Sequence, residues 1–158
     1  MNNNQPPSRE KNHKKALRTE WILSIIAAFN CFFVVVLFTS FTSQNLIQGF
    51  SSLWPFPLIY FIEIMSIGVI GIVAMFRLQR QGKSNWSAVF WVCSGLLLSF
   101  VILGAWTIGF YLIPAMVVYL VLGIISDKRI GNDIPRHIVF FVAAGFIQAT
   151  FVLLTLIG

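Results

Sequence analysis

Apolar residues gather in four long blocks, 21–39, 57–76, 86–126 and 138–157, separated by short polar or charged stretches. A bilayer core about 30 Å thick takes about 20 mostly apolar residues per helix, so three of these blocks fit one crossing each. The block 86–126 would be about 60 Å long as a single helix, twice that thickness, and must fold back on itself. The reversal is predicted at 104–107, where Gly104 and Gly109 flank Trp106 and supply the backbone freedom a tight helical hairpin needs. The pattern therefore predicts an all-α, polytopic transmembrane helix bundle with five spans: 21–39, 57–76, 86–104, 108–126 and 138–157.

Charge placement tests the number of crossings, because Lys and Arg are retained on the cytoplasmic side of short loops. Five lie in the N-terminal tail (Arg9, Lys11, Lys14, Lys15, Arg18), three after the second span (Arg77, Arg80, Lys83) and three after the fourth (Lys128, Arg129, Arg136), with none in the loops between. The alternation requires an even number of crossings between Lys83 and Lys128, and five spans with the N-terminus inside and the C-terminus outside satisfies every loop. Trp21, Trp54, Trp86 and Trp106 fall near successive span ends, where indoles prefer the interface, and Trp91 alone lies within a span. The first span can also be read as a cleaved signal peptide, from its basic approach and the small residues Ser40, Thr42 and Ser43. Its apolar region, 22–38, exceeds the roughly 7 to 15 residues of a signal core, and cleavage would leave four spans.

Two regions lie outside the spans. Residues 1–20 read as a disordered basic cytoplasmic tail, and 21–158 as a single transmembrane helical domain with an uncharged outer loop, 40–56. Within that loop Leu46, Ile47, Phe50, Leu53 and Trp54 recur at helical spacing opposite Gln44, Asn45, Gln48 and Ser52. This fits a short helix lying in the interface and equally an irregular loop, with Pro57 tolerated in the first turn of the next span.

Composition excludes a water-soluble globule: 58% of the 158 residues are hydrophobic and 10% charged, against about 45–50% and about 25% in an ordinary soluble domain. The formal charge of +6 would suggest a nucleic-acid partner in a soluble protein. Here all eleven basic residues lie on one predicted side, so the excess marks orientation, and the lipid bilayer is the partner.

Catalytic and metal signatures are absent from the sequence, and no cofactor is expected. Cys31 and Cys93 stand far apart in different spans without a paired spacing, which fits small buried hydrophobes. His13 and His137 read as interfacial, solvated residues. The sequon Asn85-Trp86-Ser87 falls at the inner membrane face. Pro114, seven residues into the fourth span, predicts a kink with a freed carbonyl near Phe110.

Of the five acids, Glu63 alone falls within a predicted span, about 9 Å below the outer edge by helical rise. Intramembrane carboxylates are rare enough to be functional candidates. Tyr60 and Ser66, three residues to either side, share its helical face, so this polar stripe can serve assembly or bind a proton or cation. Two amides lie deeper, Asn30 in the first span and Gln148 in the fifth. Buried amides seek each other across helix contacts, so the first and last spans are expected to touch through Asn30 and Gln148. Ala144 and Gly145 beside Gln148, and Gly95 and Ser99 on the third span, are small enough for close helix packing.

The order of parts resembles small bacterial tetraspan membrane proteins of unknown function. The resemblance rests on a basic tail into the first span, the Gly-bearing second span Ile67-Gly68-Val69-Ile70-Gly71-Ile72, and a hairpin closing with Ile108-Gly109-Phe110-Tyr111-Leu112-Ile113-Pro114-Ala115 before Asp127-Lys128-Arg129. It covers about residues 15–129; the fifth span departs from the four-helix pattern. It implies a multi-pass protein of the bacterial plasma membrane and no particular mechanism. The expected function is non-enzymatic, by assembly as a homo-oligomer or with a larger membrane complex. The alternative is a small oligomeric transporter using Glu63 as its ion-coupling or cation-binding group. An intramembrane enzyme would need a nucleophile and base that the sequence does not supply.

Overall fold

The computed structural model describes residues 7–43, 56–81, 84–104, 109–130 and 134–157, and side-chain surroundings within 17–40, 59–81, 85–104, 109–130 and 134–154. Five α-helices follow one another: α1 (Pro7–Ser43), α2 (Phe56–Gln81), α3 (Ser84–Leu103), α4 (Gly109–Ile130) and α5 (Ile134–Ile157). Among the described residues there is no strand. Each helix contains a segment long and apolar enough to cross a membrane, beginning or ending close to the spans read from the sequence. The fold is that of a multi-pass membrane protein.

The helices overrun the apolar blocks where the blocks meet polar sequence. α1 starts at Pro7, so residues 7–20 are helical where a disordered tail was expected; Glu10, Lys11, Lys14, Lys15, Ala16, Leu17 and Arg18 are good helix formers, and Pro is accommodated at a first helical position. The residues before Pro7, most of the outer loop (44–55, including its helical-spacing residues and Trp54) and Trp106 lie outside the described residues.

The reversal between α3 and α4 is built on the two expected glycines. Gly104 N–H donates to the Phe100 carbonyl at 2.8 Å and Gly109 N–H to the Gly104 carbonyl at 2.7 Å. A Cβ on Gly109 would lie 2.6 Å from the carbonyl oxygen of Val101 and 2.6 Å from the carbonyl carbon of Gly104, so no larger residue fits there without moving backbone. α4 continues through Pro114, which faces outward six residues into the helix, to Ile130.

α3 is the central helix, packing most extensively on α4 and α5 and also on α2. α1 packs on α2 and α4, whereas α5 rests on α3 and touches α4 only lightly. The core enclosed by helices α1 to α4 includes Ile64, Met75 and Leu78 of α2, Phe90 and Leu97 of α3, and Leu112, Tyr119 and Leu122 of α4, all fully buried. Phe90 and Tyr119 stack there at 6.4 Å between centroids. Outward positions carry large apolar side chains on every helix, among them Phe29, Val73, Ile102, Phe110 and Phe146. In lipid such a surface carries no penalty, and it is why so apolar a chain can still keep a small, well-packed interior.

Contacts between helices gather one set of ends together. Trp21 on α1 donates its indole N–H to Gln79 Oε1 on α2, Arg129 on α4 pairs with Glu20 on α1, and Asp127 on α4 meets Ser87 on α3 and His137 on α5. The part of α1 around Glu20 and Trp21, the end of α2, the start of α3, the end of α4 and the start of α5 therefore share one end of the bundle. Among the described residues, Arg18, Arg77, Arg80, Lys128, Arg129 and Arg136 lie near these contacts, and this is the basic end.

Candidate functional site

At the basic end a carboxylate is buried where three helices converge. Asp127 lies in the last turn of α4, a position where the helix dipole disfavours an anion. The start of α3 and the start of α5 offset this, each contributing its fourth residue, Ser87 and His137. Asp127 Oδ1 accepts the Ser87 hydroxyl, and Oδ2 accepts the Trp91 indole N–H at 3.0 Å. His137 Nδ1 lies 2.9 Å from Oδ1 and 2.8 Å from Oδ2. A carboxylate already receiving two donors makes Nδ1 the protonated nitrogen of the ring, leaving Nε2 buried without a hydrogen-bond partner among the described residues. Asp127 is 1% and His137 0% exposed. Gly123 clears the space for this arrangement: a Cβ there would sit 2.8 Å from Trp91 Nε1.

The order of the three groups decides the chemistry. In a hydrolytic triad the imidazole stands between serine and carboxylate and withdraws the hydroxyl proton. Here Asp127 stands between Ser87 and His137, so the serine hydroxyl donates to the carboxylate and the imidazole meets the carboxylate and not the serine. The cluster clamps α3, α4 and α5 together through one carboxylate. Beside it, Arg129 Nη2 lies 2.9 Å from Glu20 Oε2, their side chains 20% and 0% exposed respectively. This ties α4 to α1. Among the described residues no three His, Cys, Asp or Glu side chains gather to hold a metal ion. Cys31 and Cys93 are buried and unpaired thiols.

These observations correct two sequence readings. His137 is an internal partner of Asp127, where interfacial solvation was expected. Glu63 is not the only acid within a spanning helix, since Glu20 and Asp127 are buried in the segments Leu17–Ser40 and Gly109–Ile130. Both had been assigned to polar flanks because the apolar runs stop beside them. The available signal was the short connection between α4 and α5, which forces residues ten apart at its two sides into proximity.

The second polar group is Glu63, half-buried on α2, which accepts a hydrogen bond from Gln148 Nε2 on α5 at 2.9 Å. α2 and α5 have no extensive packing of their own, so this bond bridges two helices that otherwise stand apart. Tyr60 sets its ring edge-on against Phe100 at 5.9 Å. Ser66 is exposed and returns its hydroxyl to the Ile62 carbonyl at 2.7 Å, as intrahelical serines do, so it does not join Glu63. The expected Asn30–Gln148 contact does not form. α1 packs on α2 and α4 and α5 on α3, which separates the two amides, and Asn30 Oδ1 is buried without a partner among the described residues.

The small residues of α3 and α5 come together. The Ser99 hydroxyl donates to the Gly145 carbonyl at 2.6 Å, and a Cβ on Gly145 would sit 3.2 Å from the Gly95 carbonyl oxygen. A Cβ on Gly95 would collide with the Phe141 carbonyl, and Ala144 is buried on the same side of α5. Comparison with protein-family models, curated proteins and solved structures finds no match.

Proposed function

We propose that the protein is a non-enzymatic component of a bacterial plasma membrane, N-terminus inside and C-terminus outside, that acts by assembling with a second copy or a larger membrane complex. The observation that supports this reading is the Glu63–Gln148 pair. A half-buried carboxyl inside a spanning helix receives one side-chain donor, from a helix that barely packs against its own. An acid in hydrocarbon costs a few kcal/mol unless partnered, and one amide N–H meets only part of its hydrogen-bonding capacity. A polar group from a neighbouring subunit would complete it.

The test is native mass spectrometry of the full chain in mild detergent, together with proton flux in proteoliposomes, for the wild type, Glu63→Gln and Glu63→Leu. Loss of the oligomer or of co-purified subunits in Glu63→Leu, with partial retention in Glu63→Gln, is the expected result. Intact assembly with loss of proton-coupled flux in both variants would instead establish the transporter alternative, with Glu63 as its coupling group.

A further inference from the structure

Among the described residues, the basic end separates its charges by sign. Both acids described there, Glu20 and Asp127, are buried and engaged inside the bundle, while Arg18, Arg77, Arg80, Lys128 and Arg136 are exposed. Arg77 and Arg80 stand three residues apart near the end of α2, on adjoining positions of one face, and neither has an acidic partner among the described residues. The Arg77 guanidinium lies 5.9 Å from the centre of the Trp86 ring. Trp86 is itself held by its N–H bond to Gln81 Oε1 at 2.9 Å. A cation–π contact of this kind keeps the guanidinium beside the ring without using its N–H donors, whose forked arrangement suits two oxygens of a phosphate.

The surface leading to this pair is apolar. Ile70, Val73 and Phe76 are exposed along the same side of α2 and run to the arginines at helical spacing. A ligand matching the whole feature has a hydrocarbon tail along α2 and an anionic phosphate at the membrane surface. We propose that Arg77, Arg80 and Trp86 form a headgroup site for an anionic phospholipid of the adjoining leaflet. The exposed stripe distinguishes this ligand from a soluble phosphate, which has nothing to place against Val73 and Phe76. The two uncompensated arginines favour a net-negative headgroup over a zwitterionic one.

The test uses the full chain in detergent micelles, with retention of added phosphatidylglycerol or phosphatidylcholine read by native mass spectrometry. The wild type should retain phosphatidylglycerol about tenfold better. Arg77→Gln and Arg80→Gln should each weaken that retention about fivefold, the usual contribution of one basic residue at an anionic surface. Arg77→Lys should fall between, because it keeps the charge and loses the forked donors. Arg136→Gln, an equal change of charge elsewhere on the exposed rim, should stay within twofold of wild type. Equal retention of the two lipids overturns the proposal. So does an effect of Arg136→Gln as large as that of Arg77→Gln, which would mean diffuse surface charge, or equally effective competition by glycerol phosphate, which would mean a soluble anion. Unchanged melting of the variants without lipid excludes misfolding as the cause.

Discussion

Replacing Asp127 by Ala removes the common acceptor of Ser87, Trp91 and His137 at the basic end. The three losses are unequal. Ser87 Oγ already lies 3.4 Å from the Gly123 carbonyl and can turn to it, so its donor is recovered cheaply. The Trp91 N–H and the His137 ring have no such alternative among the described contacts, and a buried donor left unpaired costs about 1–3 kcal/mol. Two such donors, with the loss of charge-assisted bonds, place the total at about 3–5 kcal/mol. Asp127→Asn keeps one acceptor oxygen but turns an NH2 toward the remaining donors, for about 2 kcal/mol. The assay is reversible unfolding in mixed micelles followed by tryptophan fluorescence, with hydrogen exchange of the first turns of α5 as a local readout. A double-mutant cycle of Asp127→Asn with His137→Asn should return a coupling of at least about 1 kcal/mol. If Asp127→Ala lies within 1 kcal/mol of wild type, or the coupling is zero, the clamp is not what holds α5 at this end.

Other perturbations follow from the same contacts. Arg129→Gln takes the guanidinium from buried Glu20 and should cost about 3 kcal/mol, and adding Glu20→Gln should recover more than half of it, as measured by the same unfolding. Gly95→Ala drives a methyl group into the Phe141 carbonyl and should destabilise by about 2–3 kcal/mol in the same unfolding measurement. Ser99→Ala loses a single interhelical bond to Gly145 and should lower stability by only about 1 kcal/mol. A ranking of Ser99→Ala above Gly95→Ala in thermal melts would show that the hydroxyl, not backbone proximity, governs the α3–α5 contact.

The number of helices was legible because membrane thickness fixes span length, and Gly104 and Gly109 marked the one reversal hidden inside an apolar run. Ser99, Gly95, Gly145 and Ala144 were legible as packing residues from their size alone. Gln148 was legible as a polar group needing a partner, but periodicity assigns a residue to a face and says nothing about which helix lies opposite. Pairing it with the other deep amide, Asn30, was the wrong choice, because α5 packs on α3 and its Gln148 reaches Glu63 of α2 instead. Asp127, His137 and Glu20 were missed for a different reason. Charged residues at the edge of an apolar run look solvated, yet the helices continue past that edge and bury them against one another.

The way α5 is attached bears on how the chain is completed during synthesis. Helices α1 to α4 already enclose the core around Phe90 and Tyr119, so they can close before the last helix inserts. Until then Asp127 lacks the imidazole and Glu63 lacks the amide. His137 and Gln148 lie eleven residues apart on one side of α5, about 16 Å along its axis, and each meets its acid only when the helix is seated at one height. A slip of a single turn, about 5.4 Å, would forfeit both bonds together. The two acids thus act as a register gauge for the last helix, since both bonds form only at one seating of α5.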